Sequence, residues 1–178
     1  MAAGNTYTPI ATTTLASATA SVIFGTGSPL SGNIPSTYTD LIIVANCGNV
    51  TANQSIYMYF NGVKTGTPYS ATILYGTGTS ALSYRYSSIN YMPAIEDQNG
   101  LSTTQISANG IIQIMNYANA TTYKTYLSRN GDASRPDGTN LYVGMWRSTA
   151  AITTIELSPG SGNIAAGSTF TLYGISAA

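Results

Sequence analysis

Ile152-Thr153-Thr154-Ile155-Glu156-Leu157, then Ser158-Pro159-Gly160-Ser161-Gly162-Asn163, then Thr169-Phe170-Thr171-Leu172-Tyr173-Gly174-Ile175 is the stretch that decides the fold. From Thr154 in the first outer run and from Thr169 in the second, apolar and polar side chains alternate, which puts one set on each face of a strand. The segment between them is rich in Pro, Gly and Asn and reads as a turn. The same grammar extends upstream. Leu141-Tyr142-Val143-Gly144-Met145-Trp146 sets Leu141, Val143 and Met145 on one side and Tyr142 and Trp146 on the other. In Thr122-Tyr123-Lys124-Thr125-Tyr126-Leu127, the residues Tyr123, Thr125 and Leu127 share a face. Gly110 to Asn116, Leu82 to Ile89, Tyr69 to Tyr75 and Ser55 to Phe60 are further strands, and Asn61-Gly62 suits the positive φ angles of a tight turn. Thr39 to Ala45 is apolar on both faces, as a central strand requires, and Ala20 to Phe24 is a weaker run.

Between these runs, Met92 to Ser102 reads as a loop with one short helical turn around Ala94 to Gln98, and Arg129 to Gly138 as a charged, exposed loop. No helix of ordinary length, internal repeat or heptad pattern is present, so a long trimeric shaft is not encoded. The reading is an all-β protein: an antiparallel β-sandwich of jelly-roll type with about eight to ten strands. Residues 1–35, rich in Thr, Ala and Ser with Pro9, Pro29 and Pro35, form an N-terminal arm or the first edge strands; residues 36–178 form the sandwich.

Composition narrows function. Only 7% of the 178 residues are charged, against roughly 25% in an ordinary soluble domain, and His is absent. Six Lys plus Arg, six Asp plus Glu and one Cys leave few groups that move protons or bind ions, so no enzyme activity and no cofactor is expected. Serine is plentiful, but a serine nucleophile needs a base. The dispersed basic residues do not form the phosphate-neutralising patch that nucleic acid demands. No basic leader, signal-length apolar run or 18-residue apolar stretch is seen, so neither secretion nor a membrane partner is expected. Cys47, at the end of an apolar run, is expected to be a buried small hydrophobe.

Other candidates read as structure. Asp132 and Asp137 with Asn130 and Gly131 do not follow a calcium-loop spacing and sit among Arg129 and Arg135, so no metal is expected. Glu96-Asp97 are adjacent loop residues, a poor arrangement for a glycosidase pair. Gly25-Thr26-Gly27 and Gly76-Thr77-Gly78 are turns, since neither opens a helix. Asn49-Val50-Thr51, Asn53-Gln54-Ser55 and Asn119-Ala120-Thr121 fit the glycosylation sequon but are expected to go unused. The aromatic rings stand out instead, because amphipathic rings serve protein interfaces and sugar stacking. Tyr142 and Trp146 either pack inside the sandwich or supply an interface or carbohydrate platform; Tyr84, Tyr86 and Tyr91, in a weaker strand near a loop, are the better surface candidates.

Tyr7-Thr8-Pro9-Ile10-Ala11, Ile34-Pro35-Ser36-Thr37-Tyr38-Thr39-Asp40-Leu41, Tyr123-Lys124-Thr125, Met145-Trp146-Arg147-Ser148-Thr149-Ala150-Ala151-Ile152 and Gly167 to Ile175 together carry a resemblance spanning nearly the whole chain. In these segments the chain resembles a β-sandwich module of tailed-bacteriophage virion proteins, found in capsid decoration proteins and in tail or fibre proteins. The resemblance implies a structural protein on the virion surface, made in the host cytoplasm. Its partners would be the major capsid protein and copies of itself, by analogy as trimers. The chain opens on Met1 and ends just past Ile175, so a decoration (cement) protein on the capsid exterior is the first expectation. A tail or fibre-tip protein that recognises host glycan is the second.

Overall fold

A computed structural model describes residues 6–28, 32–51, 54–95, 101, 103, 106–134 and 139–176. Among these residues the chain forms twelve strands and no helix: β1 (Tyr7–Thr14), β2 (Val22–Gly25), β3 (Asp40–Cys47), β4 (Ile56–Phe60), β5 (Tyr69–Gly76), β6 (Ala81–Ile89), β7 (Met92–Ile95), β8 (Ala108–Met115), β9 (Lys124–Asp132), β10 (Thr139–Trp146), β11 (Thr154–Pro159) and β12 (Thr169–Ile175). They build an eight-stranded sheet, β1-β12-β3-β8-β9-β10-β5-β6, packed on a four-stranded sheet, β2-β11-β4-β7. Every pairing is antiparallel. The hairpins are β5–β6, β8–β9 and β9–β10; the remaining connections carry the chain from one sheet to the other. The expected all-β sandwich is thus the fold, with more strands than the runs of alternating residues suggest.

The core is made by the alternation itself. Leu41, Ile43, Ile112, Ile114, Phe170 and Leu172 of the large sheet meet Val22, Phe24, Ile56, Met58, Phe60, Ile155 and Leu157 of the small one. Burying each such side chain contributes roughly 1.5–3 kcal/mol relative to exposure. An aromatic knot joins the sheets. Phe60 meets Trp146 edge-on at 5.6 Å, and Tyr69 stacks on Trp146 at 6.5 Å. The Tyr69 hydroxyl donates to the Val63 carbonyl at 2.8 Å and accepts from the Phe60 N–H at 3.2 Å, which satisfies a phenol that would otherwise be costly to bury.

Several local readings change. Met92–Ile95 is not loop but β7, with all four residues buried; Glu96 to Gln98, the rest of the expected helical turn, lie outside the described residues. The stretch from Arg129 is not an exposed loop either. It continues β9 to Asp132, with Ser128, Asn130 and Asp132 buried; Arg135 to Gly138 lie outside the described residues. Both departures have one cause. The inner face of β9 is polar because it serves the backbone of β7: Ser128 Oγ and Asn130 Nδ2 donate to the Ala94 carbonyl at 2.6 and 3.2 Å, and Tyr126 Oη donates to the Pro93 carbonyl at 2.7 Å. Charge, too, sits in strands as Asp40, Arg85, Lys124, Arg129, Asp132 and Glu156.

Asn61 and Gly62 adopt the expected left-handed φ angles of 50° and 68°. The turn does not make a hairpin, because β4 and β5 belong to different sheets. Asn61 instead sews the turn to the chain entering β11: its Nδ2 donates to the Ala151 carbonyl at 2.8 Å, and its Oδ1 accepts from the N–H groups of Thr153 at 2.8 Å and Thr154 at 3.1 Å. The C-terminal strands likewise part company, β11 pairing with β2 and β4 and β12 with β1 and β3. From the stretch read as an arm or first edge strands, β1 and β2 are the outermost strands of their sheets.

Candidate functional site

The four-stranded sheet cannot cover the eight-stranded one, and the uncovered strand is β6. Its residues face Ile73 and Ala71 of β5 across the ladder as Tyr84 and Tyr86. Ile73 is fully buried while Tyr84 is 53% exposed, so the core ends between these two strands. Tyr84 and Tyr86 therefore project on the side of the sheet that is interior elsewhere: Tyr86 is half-buried at the margin of the core, and Tyr84 lies beyond it. The Tyr84 and Tyr86 rings meet edge-on at 4.8 Å, Tyr86 meets Tyr91 edge-on at 6.2 Å, and Tyr91 stacks on Tyr57 of β4 at 4.1 Å. The three sequence candidates Tyr84, Tyr86 and Tyr91 are thus brought together in one row. Tyr57 completes it, a member that alternation alone does not reveal because its partner ring, Tyr91, lies in the bend between β6 and β7.

The row is braced. Arg147 donates to the carbonyls of Ser87 at 2.9 Å, of Tyr69 at 3.4 Å and of Thr67, pinning the far end of β6 to the start of β5. Asn90 Nδ2 donates to the Lys64 carbonyl at 3.2 Å. Next to Tyr57 on the small sheet, Tyr59 lies under the Lys64 ammonium, 5.0 Å from the ring centre, and that ammonium pairs with Glu156 at 2.7 Å. Burial, then the Glu156 charge, pushes the Tyr59 phenol above its ordinary range, with Tyr91 adding to the rise and a hydrogen bond with Ser158 opposing it. Tyr59 therefore stays neutral and able to donate a hydrogen bond at physiological pH. Flat faces with neutral hydroxyl rims suit stacking against an apolar or sugar face.

Tyr142 and Trp146 go elsewhere. They are 0% and 3% exposed, inside the sandwich, so they offer nothing to an external partner. The reason lies in β10's own alternation. Its other face, with Leu141, Val143 and Met145, is the outward one, and Val143 is 51% exposed.

That outward face of the eight-stranded sheet is the second candidate surface. One cross-strand row reads Thr12, Thr171, Val44, Ile111, Arg129, Leu141, Leu74, Ser83; the next reads Pro9, Tyr173, Ile42, Gln113, Leu127, Val143, Thr72, Arg85. Eight strands make it roughly 34 Å wide. Apart from Arg129 and Arg85 these two rows are uncharged. Val44, Leu74 and Val143 are each more than 40% exposed along them.

The remaining chemistry-bearing groups are satisfied inside the fold. Lys124 is fully buried with its ammonium on the carbonyls of Thr122 at 2.7 Å and Thr149 at 3.1 Å, and burial lowers its pKa. Asp132 Oδ1 accepts from Ser107 Oγ at 2.5 Å, Ser134 Oγ at 2.7 Å and Ser134 N–H at 2.9 Å. Cys47 is buried and unbonded, as expected, and burial with help from the Asp132 charge pushes its thiol up to about 12. Among the described residues no cluster of three His, Cys, Asp or Glu could hold a metal, and no helix is long and apolar enough to cross a membrane. Glu96, Asp97 and Asp137 lie outside the described residues. Of the sequons, Asn49 is fully buried, Asn119 Oδ1 accepts from Thr121 N–H at 2.7 Å and Thr122 N–H at 2.8 Å, and Asn53 lies outside the described residues.

No protein-family model and no curated protein matches this chain. Among solved structures, the metal-free form of lectin I-B4 from Griffonia simplicifolia aligns over 76% of this chain and 72% of that one, at 7% identity and a TM-score of 0.16. A likeness that slight carries no argument about fold or ligand.

Proposed function

We propose that the chain is a structural protein of a phage virion, a capsid decoration protein that docks on the outer surface of the head through the outward face of its eight-stranded sheet. The observation that carries the reading is that face: broad, nearly uncharged, and studded with half-exposed Val44, Leu74 and Val143. Docking such a surface desolvates few ions, which is where binding protein to protein is most costly. Many copies, each held by modest contacts, would stabilise a shell by mass action rather than by turnover. The sequence resemblance to phage virion modules supplies the setting. Cryo-EM of intact particles tests it: density for this chain on the capsid exterior is expected, with the large sheet against the capsomers. Density at the tail alone would overturn the reading.

The tyrosine row favours a second reading, a tail or fibre-tip protein that holds host-surface polysaccharide against Tyr84, Tyr86, Tyr91 and Tyr57. Neutral phenols can stack on sugar faces and hydrogen-bond their hydroxyls. Binding of the purified protein to host cells or isolated surface glycan, lost on Tyr84→Ala with Tyr91→Ala, is the outcome that reading requires. Retained binding in that variant would reject it.

A further inference from the structure

A sandwich of two open sheets has four edges, and three of them are blocked. At the β1 edge Pro9 lacks an N–H and a bulge breaks the register between Pro9 and Ala11. The β2 edge is only four residues long, and its Ile23 carbonyl is taken by Ser28 Oγ. The β7 edge is buried, contains Pro93 and has carbonyls plugged by side chains of β9. On β6 the corresponding devices sit only at its far end, where the register with β5 shifts between Tyr86 and Ile89 and Arg147 takes the Ser87 carbonyl, so Ala81 to Tyr86 is left open. β6 is nine residues long, carries no proline and no lysine, and is exposed over most of its length on both faces.

Which of its backbone groups are available follows from the hairpin. Thr77 N–H donates to the Ser80 carbonyl at 2.9 Å, closing a two-residue turn. Counting inward, the antiparallel alternation makes Leu82, Tyr84 and Tyr86 the residues that exchange bonds with β5. Ala81, Ser83 and Arg85 therefore point their N–H and C=O groups outward.

We infer that β6 pairs antiparallel with β6 of a second copy of this chain, about a twofold axis at Tyr84. An axis at Arg85 would use the whole strand but set two guanidinium groups directly opposite, which is repulsive. An axis at Tyr84 sets each Arg85 opposite Ser83 of the second copy, both with outward-pointing backbone groups that can bond. On the other face it pairs Tyr84 with its own copy and Tyr86 with Leu82, burying the ring of Tyr84 and the side chain of Leu82, which are 53% and 45% exposed in the single chain. The absence of any carboxylate on β6 argues against a basic partner, and the self-pairing uses the apolar and aromatic groups that are present. The two tyrosine rows then run together across the joint. The interface is isologous, so it closes at two copies rather than three.

The register gives a test on the purified full chain, independent of any binding to heads. Sedimentation equilibrium over a range of concentrations is expected to show a monomer–dimer equilibrium for the native protein. Ser83→Lys puts a lysine opposite Arg85 on both sides of the axis and should weaken the dimer roughly fivefold or more; Ser83→Glu creates two cross-strand ion pairs and should tighten it by about the same factor. The double variant Ser83→Lys with Arg85→Glu swaps the charges and should restore pairing. Both positions are exposed, and unchanged thermal unfolding of the monomers shows that the fold is intact. A native chain that stays monomeric throughout, a trimer, or a dimer indifferent to Ser83→Lys would overturn the inference.

Discussion

Gly144→Ala is a small change that the structure turns into a large one. Gly144 lies in β10 directly across the ladder from Tyr126 of β9, and the phenol ring covers it. A Cβ at this position would stand 2.0 Å from Tyr126 Cε1, 2.7 Å from Cζ and 2.9 Å from Oη. The Gly144 backbone is not left-handed, so alanine would otherwise be favourable in a strand. The ring decides the sign. Tyr126 is fully buried, and its hydroxyl holds the Pro93 carbonyl of β7 at 2.7 Å, so it cannot move aside without releasing that bond. Overpacking costs about 1–3 kcal/mol and loss of the buried hydrogen bond about 1 kcal/mol more, giving roughly 2–4 kcal/mol. For a domain of this size that lowers Tm by about 5–15 °C. Calorimetry of the single variants and of Gly144→Ala in a Tyr126→Leu background measures the coupling, and the second substitution should recover about half of the added cost. A Gly144→Ala Tm within about 2 °C of the native value would refute the packing of Tyr126 on Gly144.

The alkaline limb of stability should follow the buried thiol and phenol. Burial, aided by Asp132, raises the Cys47 thiol from 9.0 to about 12, and burial raises Tyr69 from 10.0 to about 12. Their protonated forms are favoured in the fold, so this stability is complete below pH 9 and is lost as pH rises toward 12; in Cys47→Ala the fall in Tm should begin only above pH 10. An unchanged onset in that variant would exclude Cys47 as its source. Gly62→Ala, at φ 68° with open space around it, should cost only about 1 kcal/mol of backbone strain in the same calorimetry, well below Gly144→Ala. At concentrations where the chain is monomeric, Tyr84→Ala should leave Tm within about 2 °C of native, since its ring lies outside the core of the single chain, whereas Tyr126→Ala should lower it by more than 6 °C.

Periodicity made most of the strands legible. β10, β11 and β12 declare themselves because each buries one face and leaves the other half-open, so alternation survives in the sequence. β7 does not, because four residues flanked by turn formers carry too little pattern, and its burial comes entirely from the strands packed over it. The end of β9 misleads for a related reason: Asn130 and Asp132 look like loop residues, yet they turn inward, Asn130 with Ser128 onto the Ala94 carbonyl and Asp132 onto Ser107 and Ser134. Asn61-Gly62 shows a different limit. Its sequence sets the φ angles of the turn but not which sheet the chain enters next. At the candidate site, the alternation of Tyr84 and Tyr86 placed two rings on one face of a strand. That Tyr84 is uncovered, and that Tyr86 meets Tyr91 and through it Tyr57, depends on one sheet being wider than the other, which no local pattern encodes.

Seating of this protein on a capsid through the outward face of its large sheet is the proposed function. It is tested most directly by adding purified protein to undecorated heads and measuring occupancy for the native chain and for Val143→Glu. Val143 lies near the middle of that face and is 51% exposed, so the substitution leaves the core untouched while forcing an unpaired charge into the contact. Native protein should saturate the heads, and Val143→Glu should weaken binding at least about tenfold with Tm unchanged. Native protein that fails to bind, or equal occupancy by the variant, would contradict the account.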